Sequence, residues 1–217
     1  AGPAQALCAP VASITLAANA ATAPAIGTWS IVSGTGTFAN ANSANTTVTG
    51  ASIGVNVYRW TIVNGPCPGA TTTSNVTITL FDPATAIASA GPDQQLCGSS
   101  STTMAGNAVS APAVGTWTVV SGTATFANAN SATTSVNDLG IGTTVLRWTV
   151  NNGPCGTTSD EVSIFRFDPS NPVANAGPDQ SICIPVAPNV VTMSGSAVTF
   201  PAVGTWTVVS GSGTIVS

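Results

Sequence analysis

The eight residues Gly115-Thr116-Trp117-Thr118-Val119-Val120-Ser121-Gly122 constrain this chain more than any other stretch, because they occur three times. Gly27-Thr28-Trp29-Ser30-Ile31-Val32-Ser33-Gly34 precedes them, and Gly204-Thr205-Trp206-Thr207-Val208-Val209-Ser210-Gly211 follows. The tryptophans recur at about 88 residues, a period too long for a solenoid coil and suited to a series of small whole domains. Within each copy Trp117 and Val119 share one face while Thr116, Thr118 and Val120 share the other, the alternation of a half-buried strand. The spacing predicts units at 1–84 and 85–170, with residues 171–217 forming the N-terminal half of a third.

Other landmarks recur in the same order. Ala1-Gly2-Pro3, Ala90-Gly91-Pro92 and Ala176-Gly177-Pro178 open the units and lead through a short strand to Cys8, Cys97 and Cys183. A second strand is expected around 13–16, 102–105 and 191–194, and the Gly-Thr-Trp strand follows. Ser-Gly then turns the chain into the short strands that end at Phe38 and Phe126. Asn40–Ser43 and Asn128–Ser131 are polar turns of residues that tolerate left-handed backbone. A fifth strand covers 46–48 and 133–136. The longest apolar runs, Val57–Val63 and Val145–Val150, carry Trp60 and Trp148. Asn-Gly-Pro-Cys ends each run, and a closing strand leads to Phe81-Asp82-Pro83 and Phe167-Asp168-Pro169. About seven strands with regular turn signals in each unit fit an immunoglobulin-like sandwich. The chain is thus expected to be all-β, tandem sandwiches strung as beads. Their cores are built on Trp29, Phe38, Trp60, Trp117, Phe126, Trp148 and Trp206. The proline-bearing stretches 82–91 and 168–177 read as semi-rigid linkers.

Composition narrows the function. Only 5% of residues are charged, there is no His, and the three cations are Arg59, Arg147 and Arg166. That excludes the Lys/Arg footprint that nucleic acid or an anionic membrane requires. At 43% apolar the chain is too hydrophobic for a disordered tract, yet no run reaches the ~20 residues of a membrane span.

The five cysteines fall into the repeat. Cys8 and Cys67 stand roughly 58 residues apart, as do Cys97 and Cys155, so one bond inside each unit is the expected arrangement. Cys183 takes the Cys8 position, with its partner expected beyond Ser217. Such bonds belong to an oxidising compartment outside the cytosol. A metal site would need clustered Cys or His, and neither a Cys-x-x-Cys pair nor any His is present.

No arrangement for catalysis emerges. Asp160 and Glu161 are the only adjacent acids, and the first unit has Ser74 and Asn75 at those places, so the pair reads as a solvated strand end. Ser and Thr have no His or Lys to activate them. Asp82 and Asp93 flank the first junction, and Asp168 and Asp179 the second; these are the candidate calcium ligands, thin against the six to eight oxygens calcium takes. Asp-Pro turn caps explain Asp82 and Asp168 equally well. Arg59 and Arg147, beside Trp60 and Trp148, read as solubilising the outer face of the long strand. Asn45-Thr46-Thr47 and Asn75-Val76-Thr77 match the glycosylation pattern.

The combination Ala-Gly-Pro-Asp-Gln…Cys, Gly-Thr-Trp…Ser-Gly…Phe and Arg-Trp-Thr-Val…Cys…Asp-Glu-Val resembles the PKD-like and immunoglobulin-like repeats of very large Bacteroidota surface proteins. These include adhesins associated with gliding motility and exported by the type IX route. The Trp-Asp-Phe-Gly-Asp-Gly signature of PKD domains is replaced here by Trp117-Thr118-Val119-Val120-Ser121-Gly122. The resemblance implies an extracellular, cell-surface location, C-terminal anchoring and a role in adhesion or surface assembly. The expectation is a non-enzymatic stalk without a cofactor. Its partners are neighbouring repeats, with surface polysaccharide or other copies of the chain as further candidates. Two alternatives stand beside it: repeats that polymerise into a filament, sheath or surface layer, and accessory domains of a secreted hydrolase.

Overall fold

The computed structural model describes residues 1–65, 70–85, 87–168, 170, 173–183, 190–198 and 202–216. The first sandwich contains β1 (Gln5–Cys8), β2 (Ile14–Ala17), β3 (Ile26–Ser33), β4 (Thr37–Phe38), β5 (Asn45–Thr49), β6 (Gly54–Val63) and β7 (Thr71–Phe81). The second contains β8 (Gln94–Cys97), β9 (Thr102–Thr103), β10 (Val114–Ser121), β11 (Thr125–Phe126), β12 (Ser135–Asn137), β13 (Gly142–Asn151) and β14 (Thr157–Phe167). A single 3-10 turn, Gly153–Cys155, joins β13 to β14. Each unit pairs a four-stranded sheet, β1-β7-β6-β3 or β8-β14-β13-β10, with a three-stranded one, β2-β5-β4 or β9-β12-β11. All neighbours are antiparallel except the first and last strands of a unit, β1 with β7 and β8 with β14, which run parallel. This is the immunoglobulin-like sandwich twice over.

The repeated motifs now acquire physical reasons. In β6, Asn56, Tyr58 and Trp60 are buried while Val57, Arg59 and Thr61 are half-exposed, the period-two pattern of a strand with one face on the core. Trp29 stands opposite Trp60 in the β3–β6 ladder, with ring centroids 5.2 Å apart; Trp117 and Trp148 repeat this at 5.1 Å. Glycine precedes the first tryptophan because the second one lies across it. A Cβ added to Gly27 would come within 2.1 Å of Trp60 Cζ2, and one on Gly115 within 2.2 Å of Trp148 Cζ2. All four tryptophans are buried, and Phe38 and Phe126 pack half-buried against the same clusters.

The Asn-Ala-Asn-Ser turn locks the Gly-Thr-Trp strand. Asn42 Nδ2 donates to Gly27 O and Thr28 Oγ1, and Asn130 Nδ2 donates to Gly115 O and Thr116 Oγ1. The Trp29 and Trp117 backbone amides donate to Ala41 O and Ala129 O within the same turns. Gly27, Trp29, Gly115 and Trp117 are buried, so their backbone groups need these partners in place of water, and the turn fixes register as well as direction.

Two expectations are corrected here. Trp206 is 38% exposed, and the described residues from 173 onward form no strand. Among the described residues no strand pairs with Trp206 and no ring stacks on it, unlike Trp29 and Trp117, which each face a second tryptophan across a ladder. Early features of a unit persist nonetheless: Gln180 Nε2 donates to Thr192 O, as Gln5 Nε2 does to Thr15 O. The expected linker 82–91 is also not a free spacer. Ala88 and Ala90 are buried in the second core; Ala88 N donates to Thr158 Oγ1 and Ala90 N to Asp160 Oδ2.

Candidate functional site

The place where the repeated motifs meet is the junction between the two sandwiches. Parallel pairing sets Cys8, the last residue of β1, opposite Phe81, the last residue of β7. Ala9 N then donates to Phe81 O. This corner of the first sandwich receives the 3-10 turn of the second. Asn152, nearly buried, donates from Nδ2 to Asp82 O at 2.8 Å. Gly153, at φ 52°, leaves room for the Phe81 ring: a Cβ there would lie 2.6 Å from Phe81 Cζ. Cys155 completes the contact with a disulfide to Cys8, the Cα atoms 5.0 Å apart. Phe-Asp-Pro of one unit and Asn-Gly-Pro-Cys of the next are therefore two halves of one joint.

The bond overturns the pairing expected from spacing, in which Cys8 would join Cys67 and Cys97 would join Cys155. Cys8 is taken by Cys155; Cys67 lies outside the described residues. The reason is geometric. Cys97 is level with Phe167 at the end of β14, whereas Cys155 sits just before its start at Thr157. An 11-residue strand separates them, about 35 Å, against the ~6 Å that a disulfide spans. Cys97 and Cys183 carry free, exposed thiols.

The other candidates are dispersed and engaged. Asp82 caps its own turn, accepting from Ala84 N, and Asp168 does the same for Ser170 N and Oγ. The Ser170 hydroxyl, then its backbone amide, holds the Asp168 carboxyl below the usual aspartate range. Asp93 Oδ1 accepts from Ser163 N in β14. Among the described residues no three of Asp, Glu, Cys and His converge as a metal-binding group. Asp160 and Glu161 point to different tasks. Asp160 anchors Ala90, where the first unit has Ser74 accepting from the Ala1 amine, and Glu161 pairs with Arg147 on the open face. Arg59 Nε donates to Asn75 Oδ1, so neither Arg59 nor Arg147 stacks on the buried tryptophans. Asn45 is exposed at the start of β5. Among the described residues no helix is long and apolar enough to cross a membrane.

Sequence reasoning missed Asn152, Gly153 and Phe81 as contact residues. Their signal was present in the recurrence of Asn-Gly-Pro-Cys and Phe-Asp-Pro, which turn formation within a unit was enough to explain.

No family model and no curated relative matches the chain. Solved structures do. The PKD domain of the KIAA 1837 protein is similar at 28% identity over 43% of this chain and 92% of that one, with a TM-score of 0.34. A three-Ig structure of titin is similar at 14% identity over 79% of this chain and 64% of that one, TM-score 0.39. EC22-24 of mouse cadherin-23 is similar at 14% identity over 76% of this chain and 62% of that one, TM-score 0.33. The chain thus spans under two thirds of the length of the titin and cadherin pieces. With every one of these scores below 0.5, the sandwich assignment rests on strand order alone.

Proposed function

We propose that the chain is a stretch of the stalk of a long extracellular surface protein, a non-enzymatic adhesin of the Bacteroidota repeat type exported by the type IX route. One observation carries this reading: a covalent bond closes the joint between successive units. A binding module needs a rigid body and an open face; a spacer needs each bead held to the next. Here the motif residues that recur are spent on core and joint. Gly27, Trp29, Asn42 and Trp60 build the sandwich, and Phe81, Asp82, Asn152 and Cys155 hold the units together. The disulfide itself supports an oxidising, extracellular setting.

The experiment is sedimentation velocity on the oxidised 217-residue chain over a hundred-fold concentration range. A constant monomeric coefficient is the expected result. Concentration-dependent growth into fibres would instead favour the filament or surface-layer reading. That second reading has its own observation: the outer strands β3 and β10 expose Ile26, Val32, Val114 and Val120 at a sheet edge that the 40–43 and 128–131 turns cover only around Trp29 and Trp117. Both strands carry a register shift, at 31–33 and 119–121, which interrupts the edge and disfavours edge-to-edge pairing.

A further inference from the structure

The second sandwich ends in the same half-joint that the first one uses. Cys97 closes β8 level with Phe167, as Cys8 closes β1 level with Phe81. Gly98 N donates to Phe167 O, as Ala9 N donates to Phe81 O. Asp168 caps its turn as Asp82 does. At the first corner a hairpin cysteine occupies the site; at the second the Cys97 thiol is exposed and unbonded.

We infer that Cys97, with Phe167 and Asp168, is a covalent docking site for the Asn-Gly-Pro-Cys hairpin of an adjoining repeat. The inference rests on the stalk reading only for where that repeat comes from; the chemistry follows from the occupied corner. The occupant is specified by what fills the first site. An asparagine amide must reach the Asp168 carbonyl, a glycine must clear the Phe167 ring, and a cysteine must arrive beside Cys97. Asn64-Gly65-Pro66-Cys67 shows that such a hairpin belongs to more than one unit of this chain.

Bond formation is a two-electron oxidation, and a small-molecule or protein disulfide is the oxidant. The Cys97 thiolate attacks one sulfur of the oxidant and releases a thiol, forming a mixed disulfide. The hairpin thiolate then displaces the second thiol. Two protein thiols and one disulfide thus become one protein disulfide and two thiols.

Two measurements decide it. In the unaltered oxidised chain, alkylation of free thiols followed by peptide mass mapping should find Cys8 linked to Cys155 and Cys97 alkylated. A Cys97–Cys155 peptide would overturn the proposal without any engineering. The second measurement uses the full chain extended after Ser217 by a copy of residues 129–170, which completes the third unit and supplies its hairpin. Mapping should then show Cys97 joined to the appended cysteine and its alkylation falling at least ten-fold. Linkage of the appended cysteine to Cys183, or Cys97 remaining fully alkylated, would overturn it. Repeating the mapping with Cys183→Ser removes the in-unit competitor; a Cys97 that still stays free there also counts against the proposal. A failed sedimentation test would displace the stalk reading yet leave the Cys97 linkage to be found, so the two can fail separately.

Discussion

Removing the Cys8–Cys155 bond should uncouple the unfolding of the two sandwiches. The bond closes a loop with a sequence separation of 147 residues. In the chain-entropy treatment such a loop restricts the fully unfolded chain by about 5 kcal/mol. When only one sandwich unfolds, roughly 75 residues are freed within the same closure, and the restriction is still about 4.5 kcal/mol. The dependence on length is logarithmic, so unfolding the second sandwich adds only about half a kcal/mol. A chain with one sandwich unfolded therefore bears nearly the whole penalty alone. Relative to independent units, the doubly unfolded state gains about 4 kcal/mol of coupling. Bonds inside each unit would give no such coupling, because each would restrict its own sandwich separately. Scanning calorimetry distinguishes the cases. The oxidised chain should melt in one transition whose van't Hoff enthalpy approaches the calorimetric value. Cys8→Ser should melt earlier, with a van't Hoff enthalpy near half the calorimetric one. Cys97→Ser should behave as the unaltered chain. If the oxidised chain and Cys8→Ser show the same enthalpy ratio, or if Cys97→Ser lowers it, the reasoning is wrong.

Gly115→Ala should destabilise the second sandwich by about 3 kcal/mol through overpacking against the buried Trp148 ring. A thermal melt checks this, with Gly213→Ala, where an added Cβ meets nothing, as the unchanged control. Asn130→Ala should cost about 1–2 kcal/mol by leaving Gly115 O and Thr116 Oγ1 without their donor, read from urea midpoints; Asn42→Ala should match it in the first sandwich. Asp168 should titrate below the ordinary aspartate range by NMR, and Ser170→Ala should move it back up. Its folded pKa is depressed, so its small contribution to stability is present above the unfolded pKa and lost as pH falls through the folded one.

Much of the fold was legible because period-two alternation and turn chemistry are local. Trp29, Trp60, Trp117 and Trp148 announce their strands, and the Asn-Ala-Asn-Ser turns announce the reversals between them. The cysteine pairing was not legible, for a reason particular to repeats. A bond inside a unit and a bond to the next unit draw on the same recurring positions, so spacing alone treats them alike. Only the parallel pairing of β1 with β7 settles the matter, since it carries Cys8 to the corner that faces the following unit. Nothing in the local sequence of Gln5–Cys8 states that direction. The linker was misread for a related reason. Ala88 and Ala90 look like spacer residues, and only the distant Thr158 and Asp160 make them part of a core.

The joint also decides what happens when the chain is pulled from its two ends. Tension entering at Ala1 runs along β1 to Cys8, crosses to Cys155 through sulfur and leaves along β14, so that everything between the two cysteines is off the path that bears load. At about 3.5 Å per extended residue, some 500 Å of slack stays reeled in until that single bond is cut. While that pair is oxidised, unfolding between the two cysteines adds no length; once it is reduced, the packing of the two cores decides how readily the chain extends.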